Sequence, residues 1–264
     1  MPNTKPLTNT QEALTDKLER ASRKSLVNYG FFIGATPENQ LDLIEANPTP
    51  GIKIFMGSMR GPLLVDREEI IEPIFARGDR LIAVHAENQA RIEQRRKEFA
   101  GRTDVAVHSQ IQDERAALEA TQLALKLSKK YRRRLHILHL STGIEAELLR
   151  EDKPEWVTAE VTPQHLLLNI AAYEKIGAKA QMNPPLRSPE NNDILWKALL
   201  DGVIDFIATD HAPHTLEEKA KTYPDTPSGM PGVETSLPLM LTQAKAGRCS
   251  VPQVANWMST AVAK

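Results

Sequence analysis

A single cysteine, Cys249, leaves this 264-residue chain without an internal disulfide, which fits a reducing compartment. Long apolar runs are missing too. None approaches the roughly 20 residues that a membrane span needs. The opening MPNTKPLTNTQE has no apolar core of a signal peptide. Nor is there an excess of charge of one sign. The formal net charge is -1, which argues against nucleic acid or an anionic membrane as the main partner. No Gly-rich phosphate loop follows any apolar run, and there is no internal repeat or low-complexity tract. What remains is a cytoplasmic globular chain whose expected partner is a small molecule. Hydrophobic residues make up 41% of it, enough for a sizeable core.

Short β-rich runs alternate with amphipathic stretches. Strands are expected at 31–33, 52–56, 81–85, 135–140, 157–161 and 204–209, with a weak seventh at 178–182. Helical patterns cover 10–26, 37–46, 66–77, 112–130, 142–151, 189–201, 233–246 and 251–263. This alternation predicts βα units and a parallel sheet. Polar residues collect at the C-terminal ends of nearly every strand, where barrel active sites are built. A doubly wound sheet would concentrate them at one switch point. The expected fold class is therefore α/β, a TIM-type (β/α)8 barrel in a single domain over 1–264, one or two strands short of closure.

Four strand ends carry groups suited to metal or proton chemistry. In GIKIFM, Lys53 and Phe55 share the face opposite Ile52 and Ile54. A lysine inside a barrel is costly unless paired or neutralised. As a neutral amine it can take up carbon dioxide and become an anionic carbamate able to bridge metals; the plainer alternative is an ion pair. In LIAVHAE, His85 is in phase with Leu81 and Ala83. In LHILHLST, His139 is in phase with Leu135 and Ile137, while His136 points the other way and reads as structural. In FIATDHAPH, Asp210 is in phase with Phe206 and Ala208. Nitrogen and oxygen donors of this kind suit zinc, and two metals about 3.5–4 Å apart could share bridging groups. Glu160 reads equally as support or packing. His165 is expected to cap or decorate the helix that follows, and His108 to sit in a loop. Asn183 lies in the rigid turn MNPPLR. The stretch TYPDTPSGMPG, rich in Pro and Gly, is expected to be an ordered loop with backbone N–H groups open to a ligand. The run 129–134, KKYRRR, reads as a solvated helix end.

In order, GIKIFMGS, AVHAEN, HILHLST, VTAEVTPQHLLL, MNPPLR, ATDHAPH and PSGMPGVET resemble the dihydroorotases, within the amidohydrolase superfamily of metal-dependent barrels. The resemblance covers essentially the whole chain. It implies two zinc ions, a carbamylated Lys53 as bridging ligand, and His85 and His139 on the second metal. It implies Asp210 as a ligand of the first metal and as the proton carrier. Asn3, Asn183 and His214 would contact the substrate, with backbone groups near Ser228 and Gly229 completing the pocket. The implied reaction is the reversible closure of N-carbamoyl-L-aspartate to (S)-dihydroorotate in pyrimidine synthesis. Related hydantoinase or allantoinase chemistry is the alternative within this class.

The chain also departs from the family pattern. The family's opening His-x-His-x-Arg strand has no counterpart among the seven histidines, and the small β domain expected past MSTAVAK is not in this sequence. The expectation is a barrel truncated at both ends, incomplete at its first strands, retaining one metal site and little or no activity. A non-catalytic scaffold homologue is the other reading. A homodimer, or another pyrimidine-pathway enzyme, is the expected protein partner.

Overall fold

A computed structural model describes residues 1–263. Its contacts group the chain into two compact units. The first holds 1–89, 119–137 and 154–157; the second holds 90–118, 138–153 and 158–264.

The first unit is built on four parallel strands, β1 (Ile33–Gly34), β2 (Gly51–Phe55), β3 (Leu81–His85) and β4 (Leu135–Ile137), paired in chain order. Every residue of β2 is buried, as expected of a parallel strand covered on both faces. Ile52 faces α2 (Gln40–Glu45) and α3 (Glu68–Ala76), lining one small cavity with Leu43, Ile44, Pro73 and Ile74. The alternate residue, Lys53, points to the opposite face. Burying an isoleucine contributes about 1.5–3 kcal/mol, so several such contacts fix which way the lysine points. The register sets Phe55 beside His85. The unit opens with α1 (Gln11–Lys24), whose N-cap Thr10 accepts the Ala13 N–H through its hydroxyl at 3.2 Å.

The second unit carries the parallel pair β5 (Val157–Val161) and β6 (Phe206–Ile207), with Glu160 opposite Phe206. Helix α7 (Gly143–Asp152) is capped by Thr142. It begins on glycine because a Cβ there would lie 2.6 Å from Ile194 Cδ1 in α10 (Pro189–Leu200). Two apolar clusters support the unit. One joins Tyr173, Met182 and Leu186, and the other Ile92, Val107 and Ile111.

Several expectations change. The weak seventh strand is a 3₁₀ turn, Gly177–Ala180, entered through Gly177 at φ 58°; small residues and a left-handed glycine favour a turn over a ladder. Strand β4 stops at Ile137 and β6 at Ile207, short of the apolar runs that suggested them. The helix expected over 112–130 is α6 (Glu114–Tyr131), started where Asp113 Oδ1 accepts the Ala116 N–H at 3.0 Å, and a short helix, α5 (Val107–Ile111), precedes it unforeseen. Helix α4 (Gln89–Glu98) was not anticipated; QARIEQRRKE offers one buried apolar residue, Ile92, and no apolar stripe. The run 129–134 is not wholly solvated. Arg133 is buried and donates to the Arg77 carbonyl at 2.5 Å and to that of Gly78. Among the described residues no helix is long and apolar enough to cross a membrane.

Candidate active site

In the first unit the chemistry sits at the ends of β2 and β3. Lys53 is 1% exposed. Its Nζ donates to the Ile54 carbonyl at 3.2 Å and lies 4.1 Å from the centre of the Phe55 ring. On the neighbouring strand, His85 Nε2 lies 2.7 Å from Glu87 Oε2. Glu87 is fully buried and accepts the Ser58 hydroxyl at 2.5 Å. The Ser58 N–H donates in turn to Gln89 Oε1 at 3.0 Å. A carboxylate on one imidazole nitrogen fixes the ring's orientation, the arrangement typical of a metal-binding histidine. Gly57 makes this packing possible: a Cβ there would stand 2.2 Å from the Glu87 carbonyl oxygen. Glu87 was in view in HAEN and received no role; an acid two residues past a strand-end histidine was the available signal. Asn3 lies in the same unit and is exposed.

In the second unit His139 and Asp210 follow β4 and β6, and both have left-handed backbones, at φ 38° and φ 42°. Such a conformation costs a non-glycine residue about 1–2 kcal/mol and concentrates at functional sites. The His139 N–H reaches Glu160 Oε1 at 3.4 Å, and the Leu140 N–H donates to the Glu160 carbonyl at 2.7 Å. Glu160 therefore supports the turn that presents His139. Beyond Asp210, the exposed His211 accepts the Gly232 and Val233 N–H groups on Nδ1, at 3.0 and 3.2 Å.

Apart from Asn3, the residues expected around a substrate fall into two joined segments of this unit. His214 Nε2 donates to the Ser228 carbonyl at 3.1 Å, and its Nδ1 is 3.5 Å from Glu218 Oε2. Asn183 Oδ1 lies 2.9 Å from His108 Nε2, which also meets the Met182 carbonyl at 3.0 Å. Gln181 is 3% exposed and binds the loop at three points. Its Nε2 donates to the Thr226 carbonyl at 2.9 Å and to Ser228 Oγ at 3.1 Å, and its carbonyl accepts the Gly229 N–H at 3.0 Å.

Three expectations are corrected here. His108 is not an idle loop residue; it is buried in α5 and braces Asn183. His165 is neither a cap nor exposed. It lies buried in α8 (Pro163–Leu167), with Nδ1 2.9 Å from the Thr162 hydroxyl and Nε2 donating to the Pro184 carbonyl at 3.0 Å. The Gly229 N–H is not open to a ligand, since Gln181 takes it. Burial also raises the Tyr223 hydroxyl above its ordinary value; that ring stands edge-on to His108, 5.8 Å between centres.

Among the described residues, no three His, Cys, Asp or Glu side chains converge as a ready-made metal cage. The donors fit a metal in kind, as the carboxylate-oriented His85 shows, but not in number.

No protein-family model matches the chain. It is 33% identical to the dihydroorotase of Methanosphaera stadtmanae over 98% of its own length and 60% of that protein. It is 47% identical to the dihydroorotase of Bacillus caldolyticus over 127 residues, 47% of this chain and 30% of that protein. Among solved structures, the L-hydantoinase (dihydropyrimidinase) of Arthrobacter aurescens superposes with a TM-score of 0.94 at 31% identity, covering all of this chain and 61% of the other. The dihydroorotase of Saccharomyces cerevisiae matches in fold alone, with a TM-score of 0.75 at 15% identity, over 99% of this chain and 74% of that one. The chain spans about three fifths of the length of the relatives it matches. The fold class is thus the α/β, TIM-type barrel of the metal-dependent amidohydrolases, of which the described residues carry six parallel strands.

Proposed function

The chain belongs to the amidohydrolase family that includes the dihydroorotases and hydantoinases, and from that membership we propose that its chemistry is that of a dihydroorotase. The reaction is the reversible interconversion of N-carbamoyl-L-aspartate and (S)-dihydroorotate. The observation that carries this reading is 33% identity to a dihydroorotase sustained over 98% of the chain. The 47% identical stretch of 127 residues supports it.

In the first unit, Lys53 as its carbamate and His85 are the proposed zinc ligands, with Glu87 holding the His85 ring. In the second, His139 and Asp210 are proposed ligands. A bound zinc supplies Lewis-acid polarisation of an amide carbonyl. The chain's own residues do the rest. The Asp210 carboxylate takes up a proton and delivers it to the leaving ring nitrogen. The Asn183 amide and the His214 ring orient the substrate. The loop through Ser228 and Gly229 covers it and limits access of bulk water. Asn3, which is exposed, is the proposed contact for the substrate carboxylate.

A second reading, hydantoinase, is favoured by the 0.94 TM-score to an L-hydantoinase. One assay separates the two. The purified protein, supplied with zinc and bicarbonate, is offered dihydroorotate and a 5-substituted hydantoin in parallel. Preferential opening of dihydroorotate supports the proposal. Preferential opening of the hydantoin transfers the chain to the second reading. Turnover of neither overturns both and leaves a non-catalytic scaffold.

A further inference from the structure

Lys219, at the end of α11 (Leu216–Lys219), is 8% exposed. Its Nζ donates to the Gln181 carbonyl at 3.0 Å and to the Pro227 carbonyl at 2.9 Å. Both acceptors are neutral. One belongs to the segment leading to Asn183, the other to the loop residue just before Ser228. The Gly229 N–H ends on the same Gln181 carbonyl. Gln181 Oε1 is buried without a hydrogen-bond partner, so the junction is polar, buried and incompletely satisfied.

The charged and titratable groups around it turn elsewhere. On α11, Glu218 accepts the Thr215 N–H at 2.9 Å and faces His214, while Glu217 is exposed. On the loop, Tyr223 packs on His108, and Lys221 and Asp225 are exposed. On the 3₁₀ turn that precedes Gln181, Lys179 is exposed. A lysine ammonium held against carbonyls without a carboxylate keeps its desolvation cost.

We propose that Lys219 is a positioning residue that fastens the 222–229 loop to the Gln181–Asn183 segment, and that in alkaline solution closing this loop expels a proton from its amine. The sign follows from linkage. Burial pulls Lys219 down from 10.5 to about 8. Opening the loop returns the amine to water and to its ordinary value. The closed form therefore binds fewer protons than the open form between pH 8 and 10.5, so rising pH through that window favours closure. Below pH 8 both forms are protonated and the charge weighs against closure in full. The neutral amine keeps two N–H donors, one for each carbonyl, so the fastening survives deprotonation. This inference rests on the dihydroorotase reading only for what the loop covers.

The test is amide hydrogen exchange of Gly229 and the 222–229 loop, corrected for the intrinsic base-catalysed rate, from pH 7 to 10. Wild-type protection is expected to rise by about 10-fold or more, within the on-the-order-of-10²-fold ceiling that the two pKa values set. Lys219→Met removes the titration and Lys219→Arg fixes the charge, so protection in both should be flat with pH. Where dihydroorotate is turned over, KM should fall as pH rises through about 8 in the wild type and not in K219M, with the pH profile of kcat shared by both. Flat wild-type protection, or a rise retained in K219M, overturns the proposal. The exchange experiment needs no substrate, so failure of the functional reading leaves it interpretable. The wild-type series alone decides the matter if a variant does not fold.

Discussion

Lys53 and Lys219 are both buried, and they are buried differently. Lys53 stands on a central strand, with its direction set by the alternation that turns Ile52 toward α2 and α3. Its surroundings are a strand carbonyl and an aromatic face. Lys219 stands on a single helical turn and holds two loop carbonyls. The first is rigid because moving it would break a sheet; the second can be exposed by moving a loop. The comparison teaches that a buried charge marks chemistry on a rigid element and mobility on a soft one. Opening free energies in one protein run from near zero in loops to the global value in core strands.

The sharpest way to test this division is Asp210→Asn. Asparagine tolerates a left-handed backbone, so the fold should hold while kcat falls by about 10²–10⁴-fold, the share of a general acid–base. Unchanged kcat would remove Asp210 from the proton path. Next come the two glycines, each facing a backbone oxygen, 2.2 Å from a Cβ at Gly57 and 2.5 Å at Gly229. Gly57→Ala should lower global stability by about 1–3 kcal/mol in a urea melt, as overpacking does. Gly229→Ala should raise KM with little change in the melt, since the loop can yield. Equal melts for both would erase the distinction between the regions. Glu87→Gln should weaken zinc binding about 10–100-fold by calorimetry, the usual cost of losing a ligand's orienting carboxylate. The smallest effect is at His139. His139→Gly should be more stable than His139→Ala by about 1 kcal/mol, because only glycine is at ease at φ 38°.

Strands β2, β3 and β5 could be read from the sequence nearly to the residue, because largely buried parallel strands leave short runs rich in apolar and β-branched residues. Lys53 and His85 came with β2 and β3 through the period of two, whereas His139 and Asp210 lie past the ends of β4 and β6 on left-handed backbone, where that period no longer runs. What escaped lies where no period operates. Helix α4 has one buried apolar residue and so no stripe to detect. His108 and His165 act through backbone carbonyls more than fifteen residues away in sequence. Gln181 and Lys219 reach the loop only through tertiary closure. The left-handed turns at His139 and Asp210 could not be foreseen from residue type, since neither is glycine.

One further consequence concerns His211. Two N–H donors converge on its Nδ1, and a ring nitrogen receives hydrogen bonds only through its lone pair. The proton of the neutral ring must then sit on Nε2. Protonating Nδ1 would eject the Gly232 and Val233 amides together. The ring is thus a ready spectroscopic reporter: in a ¹⁵N-labelled sample its two nitrogens should give well-separated signals of one fixed tautomer. Any drift of those signals toward each other would register the Gly232–Val233 backbone leaving its seat before any change in the bulk fold could be seen.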